Sequence, residues 1–134
     1  MKYFICSLDA IFLGVSTELA EGVTSVSRIQ TAVCEKEDNT SFISLPVLLK
    51  RDTFPALHGI VLKRRSGVEK DGKIILLMPP IDIDLEIAEK DIYTVPRVVS
   101  GMFRFFSGVC FSDQRLIFTL DTEKLLDVYV GGIY

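Results

Sequence analysis

His58 is the only histidine in this 134-residue sequence, so a Ser-His-Asp or Cys-His centre would have to be built on it. It lies in LHGIVLKRR, a β-prone run, beside Gly59 and with no nucleophile in a recognisable elbow. The chain is therefore read as having no catalytic residue, and a small enzyme working through His58 ranks last among the functional readings. Asp82, Asp84 and Glu86 recur at every second position of IDIDLEI, which puts their carboxylates on one face of a strand. Such a row would suit a cation or supply half of a carboxylate pair. The plainer reading is a solvated outer face, with basic groups on a neighbouring strand offsetting the repulsion. Lys63-Arg64-Arg65 would attract phosphate or an acidic partner. Cys6, Cys34 and Cys110 are odd in number, widely spaced and without a CxxC pair, which supports neither zinc nor a redox dithiol. Cys6 and Cys110 sit in apolar runs as small core residues, a usage that fits a reducing, cytoplasmic compartment. Gly131-Gly132 has no helix after it and is no phosphate loop. No metal and no cofactor is expected.

The elements that must carry these residues are nearly all strands. Apolar residues make up 49% of the chain, enough for a packed core, and the length suits one domain over residues 1–134. The net charge of -3 argues against nucleic acid as the main partner. The opening MKYFICSLDAIFLGV is broken by Asp9 and lacks a cleavage site, so it reads as two strands rather than a signal peptide. No apolar run reaches the roughly 20 residues of a membrane span.

Residues 2–8 and 11–15 form a hairpin around Asp9-Ala10. Ser16 or Thr17 caps a single turn through Glu21, which Gly22 ends. Residues 23–34 alternate imperfectly and imply a bend, and Glu35 to Thr40 reads as a solvated loop. Residues 42–49 are expected as an edge or bulged strand because Pro46 cannot donate to a ladder. Further strands are expected at 57–65, at 73–78 after the Asp71-Gly72 hairpin signal, and at 81–87. Ala88 to Asp91 is a polar connection, 92–96 is extended, and 97–103 is a short helix or an irregular segment. Residues 106–111 and 116–120 flank a turn at Ser112-Asp113-Gln114. Asp121 or Thr122 then caps a helix with Leu125 and Leu126 facing inward, and the tail VYVGGIY is expected to dock on the body or on another copy. About nine strands with turn signals every 8–12 residues describe an all-β barrel or sandwich.

The stretch FFSGVCFSDQRLIFTLDTEKLLD resembles the C-terminal end of CheW-like domains, through Gly108, Leu116 to Leu120, Asp121, Lys124, Leu125 and Leu126. DGKIILLM, IDLEIAEKDIYTVP, FISLPVLL with its Pro46, and KYFICSLDAIFLGVSTELAEGV resemble further segments of that family, in its order. The resemblance implies an all-β fold of two small packed five-stranded, SH3-like β-barrels with short helices. It implies a non-enzymatic adaptor or scaffold of bacterial chemotaxis, linking the cytoplasmic tip of a chemoreceptor to the regulatory domain of a histidine kinase. Partner binding would fall on Ala20 and Val23, and self-association is a further expectation. The departures are specific. Where the family carries an Asn-Leu-Arg-Gly-like step, this chain has Glu35 to Thr40, and no arginine matches. The usual glutamate of the kinase-facing turn falls at Gly22, and the usual Val-Asp pair is replaced near Met78-Pro79-Pro80. The alternative from residues alone is an unrelated small β-barrel that binds a ligand or nucleic acid, through Lys63 to Arg65.

Overall fold

A computed structural model describes residues 1–8, 11–50, 57–63, 72–94, 104–112 and 114–130. The aromatic and β-branched opening forms β1 (Lys2–Leu8), which pairs antiparallel with β2 (Ile11–Ser16) from Tyr3 opposite Ser16 to Leu8 opposite Ile11. Ser16 caps a single 3-10 turn, Thr17–Leu19, by accepting the Glu18 N–H at 3.3 Å. The chain is extended again at Ala20, two residues before Gly22, so Gly22 lies within the next strand rather than at the end of a turn. That strand is β3 (Ala20–Val26).

Two further expectations are corrected here. Glu35 to Thr40 is no loop: β4 (Cys34–Glu37) and β5 (Thr40–Ser44) form a hairpin whose register runs from Cys34 opposite Ile43 to Glu37 opposite Thr40. Its tight turn works because Asp38 accepts a left-handed φ of 55°, a conformation its short polar side chain tolerates. Pro46 does not sit in a strand either. Ser44 Oγ accepts the Val47 N–H at 3.2 Å and starts the one-turn helix α1 (Leu45–Leu48), placing Pro46 in the first turn, where a missing N–H costs nothing.

The remaining strands are β6 (Leu57–Leu62), β7 (Lys73–Met78), β8 (Ile83–Glu86), β9 (Tyr93–Thr94), β10 (Phe106–Ser112) and β11 (Arg115–Leu120). β8 is two residues shorter at its start and one at its end than the expected 81–87. A 3-10 turn, Glu89–Asp91, fills the polar connection after it. α2 (Thr122–Tyr129) starts at Asp121, whose Oδ1 accepts the Lys124 N–H at 3.1 Å. The expectations at Asp9-Ala10, Arg64-Arg65, Asp71, 97–103, Asp113 and Gly131-Gly132 fall outside the described residues.

The strands make two mixed sheets, one of six in the order β8-β1-β2-β11-β10-β9 and one of five in the order β3-β6-β7-β5-β4. The β2–β11 and β5–β7 pairs are parallel and the others antiparallel. The first sheet exceeds the expected five strands through β9, a pair of residues at its edge. One buried cluster joins the sheets. Leu8, Leu13 and Val15 come from the first, Ile43, Ile60 and Leu76 from the second, and Leu125 from α2. A smaller cluster of Tyr3, Ile5, Ile87, Cys110 and Ile117 covers the other face of the six-stranded sheet. Gly108 is required there, because a Cβ would lie 2.4 Å from Ile92 Cγ2 and 3.1 Å from the Tyr93 carbonyl. Cys6 and Cys110 are buried core residues, and burial pushes the Cys6 thiol up to about 12.

Candidate functional site

β3 is the edge of the five-stranded sheet and pairs only with β6 within it. Ala20 and Val23 are three residues apart, a spacing that places side chains on opposite faces of a regular strand. A register shift between Ala20 and Gly22 alters this: Ala20 lies opposite Leu62 and Val23 opposite Ile60. Leu62 and Ile60 both point into the joint core, so Ala20 and Val23 share that face. Ala20 packs against the core, whereas Val23, with no strand beyond it among the described residues, is 44% exposed. Ahead of them Leu19 lines a groove of about 450 Å³ between the sheets, together with Leu62, Lys63, Leu120, Asp121, Thr122 and Leu126.

Beyond β3 the chain turns through residues 27–33 without regular secondary structure, yet side chains hold it firmly. Gln30 is 6% exposed, and its amide donates to the carbonyls of Ala32, Val33 and Phe42 at 3.0, 3.1 and 2.9 Å. Its Oε1 accepts from Arg28 Nε at 3.0 Å. The Arg28 guanidinium lies 4.2 Å from the Phe42 ring centroid, bonds Glu37 and approaches Glu35 at 3.7 Å. Glu35 accepts the N–H groups of Thr31 and Ala32 at 2.8 and 3.0 Å.

Those two backbone donors, Ala32 first, hold the Glu35 carboxyl below its usual range, with the Arg28 charge helping. A carboxylate depressed in the folded state stabilises fully above its unfolded value and loses that contribution as pH falls through its own lowered value. Acidification through that range is therefore expected to release the Thr31 and Ala32 amides. Hydrogen exchange at the two positions, compared with the intrinsic rate at each pH, reads it, and a Glu35→Ala chain should leave both amides unprotected at every pH.

The other candidates are placed structurally. His58 is half-buried, and its Nδ1 accepts the Ile81 N–H at 2.9 Å, tying the segment between the two sheets. Glu86 meets the Met1 ammonium at 2.7 Å and lies opposite Lys2, the basic neighbours expected from the acidic row. That ammonium, foremost through its hydrogen bond, holds the Glu86 carboxyl low. Asp82 and Asp84 are exposed, and no group of three metal-binding side chains occurs among the described residues. Lys63 follows β6, its N–H donating to the Leu19 carbonyl at 2.9 Å beside the groove.

No family model and no curated protein matches this chain in sequence. Among solved structures, the scaffolding protein TtCheW from Thermoanaerobacter tengcongensis superposes with a TM-score of 0.68. The match covers 89% of this chain and 82% of that one at 18% identity. The fold is CheW-like. The two-sheet, mostly β architecture expected from the sequence is thereby established. Within this CheW-like fold, sequence reasoning missed the Arg28–Gln30–Glu35 lock. A charged residue and a glutamine interrupting an imperfectly alternating β-prone run were its only signal.

Proposed function

We propose that this chain is a divergent member of the CheW family, a non-enzymatic adaptor of bacterial chemotaxis that binds the regulatory domain of a histidine kinase through the edge strand β3, at Ala20 and Val23. The supporting observation is the β3 bulge, which brings Ala20 and the exposed Val23 onto one face of an edge strand in a CheW-like fold. The receptor tip is the further partner this reading implies. The family's arginine-bearing step toward that partner has no match here, where β4 and β5 turn tightly at Asp38-Asn39.

Val23→Asp is expected to weaken binding of a chemotaxis kinase regulatory domain from the same cell at least roughly tenfold, because an exposed apolar contact becomes a desolvated charge. Calorimetric titration of both chains measures it. Val23 is exposed, so the variant should melt with the parent. Equal affinities would remove Val23 from the contact, and no binding by the folded parent chain would overturn the adaptor reading.

A further inference from the structure

A strand at the edge of a sheet offers unpaired backbone groups to any chain that can lie alongside it. β8 is such an edge, paired only with β1 among the described residues. Two bonds fix which of its groups are open. Ile87 N–H donates to the Met1 carbonyl at 2.9 Å, and the Met1 ammonium reaches the Ile87 carbonyl at 3.3 Å, so Ile87 faces β1. Backbone direction alternates along a strand, so Leu85 and Ile83 face β1 as well. The N–H and C=O groups of Asp84 and Glu86 then point away from it. Asp82 ends the open stretch, because its N–H turns to the Ile5 carbonyl at 2.9 Å.

Charge selects what can lie there. Between residues 82 and 91 stand Asp82, Asp84, Glu86, Glu89 and Asp91, with Lys90 the one basic residue. The Met1 ammonium and Lys2 offset Glu86. Asp82, Asp84 and Asp91 have no ion-pair partner among the described residues. A second copy of β8 would set carboxylate against carboxylate, which destabilises a strand pair, whereas a basic strand would meet attraction at the same positions. Ile83 and Leu85 give the opposite face of β8 an apolar character, Ile83 exposed and Leu85 half-buried. A matching strand therefore alternates, basic across from Asp84 and Glu86 and apolar across from Ile83 and Leu85.

At the end of β8 the chain also forms a pocket of about 210 Å³. Glu86, Asp91 and the exposed rings of Tyr93 and Phe111 line it, and no basic residue does. Sites for whole small molecules run to roughly 300–1,000 Å³, so this one suits a single long side chain. Two carboxylates and two rings suit an ammonium or guanidinium group.

We infer that an extended segment of a partner protein, alternating basic and apolar residues, adds to β8 as a further strand and seats a lysine or arginine in the Tyr93–Phe111 pocket. The surface lies on the sheet that does not contain β3, so its test is independent of the kinase contact that Val23→Asp probes.

The probe is a synthetic peptide of alternating lysine and valine, blocked at both ends and long enough to span β8. Titrated into the full chain and followed by NMR, it is expected to shift the Asp84 and Glu86 amides and to slow their hydrogen exchange, the mark of a new backbone ladder. The same peptide N-methylated at its lysines keeps the charge and loses the donors, and should bind at least about tenfold more weakly. Asp84→Lys and Phe111→Ala change exposed side chains, and each should weaken binding several-fold. A chain carrying both Asp82→Lys and Asp84→Lys should gain affinity for the peptide with glutamate in place of lysine. Binding that leaves the Asp84 and Glu86 amides unprotected, an N-methylated peptide that binds like the parent, or no shift at millimolar peptide would each overturn the inference. So would protection of these amides in the peptide-free chain as its concentration rises, which would make the occupant a second copy.

Discussion

Replacing Phe105 by alanine should cost about 3–5 kcal/mol of folding stability, the range for deleting a buried aromatic ring. Phe105 joins α2 to the sheets. Its side chain is 1% exposed and belongs to the joint core. Its ring lies 5.8 Å from that of Tyr129 at the end of α2, under the Arg104 guanidinium at 4.6 Å. Its carbonyl accepts the N–H of Asp121, the residue that caps α2, at 2.7 Å. The truncation thus empties the seat of the helix while leaving its cap in place. Urea unfolding should show a lower midpoint with an unchanged slope if the loss lies in packing alone. A loss below about 1 kcal/mol would mean that α2 does not depend on this ring.

That junction shows what could be read from the sequence. Asp121 as a cap, Leu125 inward and the two flanking strands all follow from local signals, a turn-former ahead of a helical period between alternating runs. β1 and β7 have the bounds that their β-branched runs define, because nothing distant competes with those signals. Local reading failed where a single residue type has two uses. Pro46 is excluded from a ladder and equally suited to a helical first turn, and Ser44 decided between them through the Val47 N–H. Glu35 to Thr40 looks like solvated loop by composition, yet the pairing of β4 with β5 makes most of it strand, since an edge strand tolerates charge. The likeness of Ala20 and Val23 to a kinase-facing element was visible, but the bulge that unites them depends on the register with β6 and has no local signature. Arg28 and Gln30 were invisible for the same reason, because the partners that fix them on the β4–β5 hairpin, Glu35, Glu37 and Phe42, lie seven to fourteen positions away.

Gln30→Met should therefore act well beyond its own position. The substitution keeps roughly the shape of the side chain and removes its polar end. Three backbone carbonyls, those of Ala32, Val33 and Phe42, lose their amide donor, and Arg28 Nε loses its acceptor. A buried polar group left unsatisfied costs about 1–3 kcal/mol, and Val33 retains the Ser44 N–H at 2.8 Å, so the total expected is about 2–4 kcal/mol. Thermal or urea unfolding gives that figure. The more telling consequence concerns the loop of residues 27–33 that Gln30 ties to the hairpin. Releasing Gln30 should let the Thr31 and Ala32 amides exchange faster even at temperatures where the variant is fully folded. Unchanged exchange would show that Arg28 and Glu35 hold the loop without Gln30.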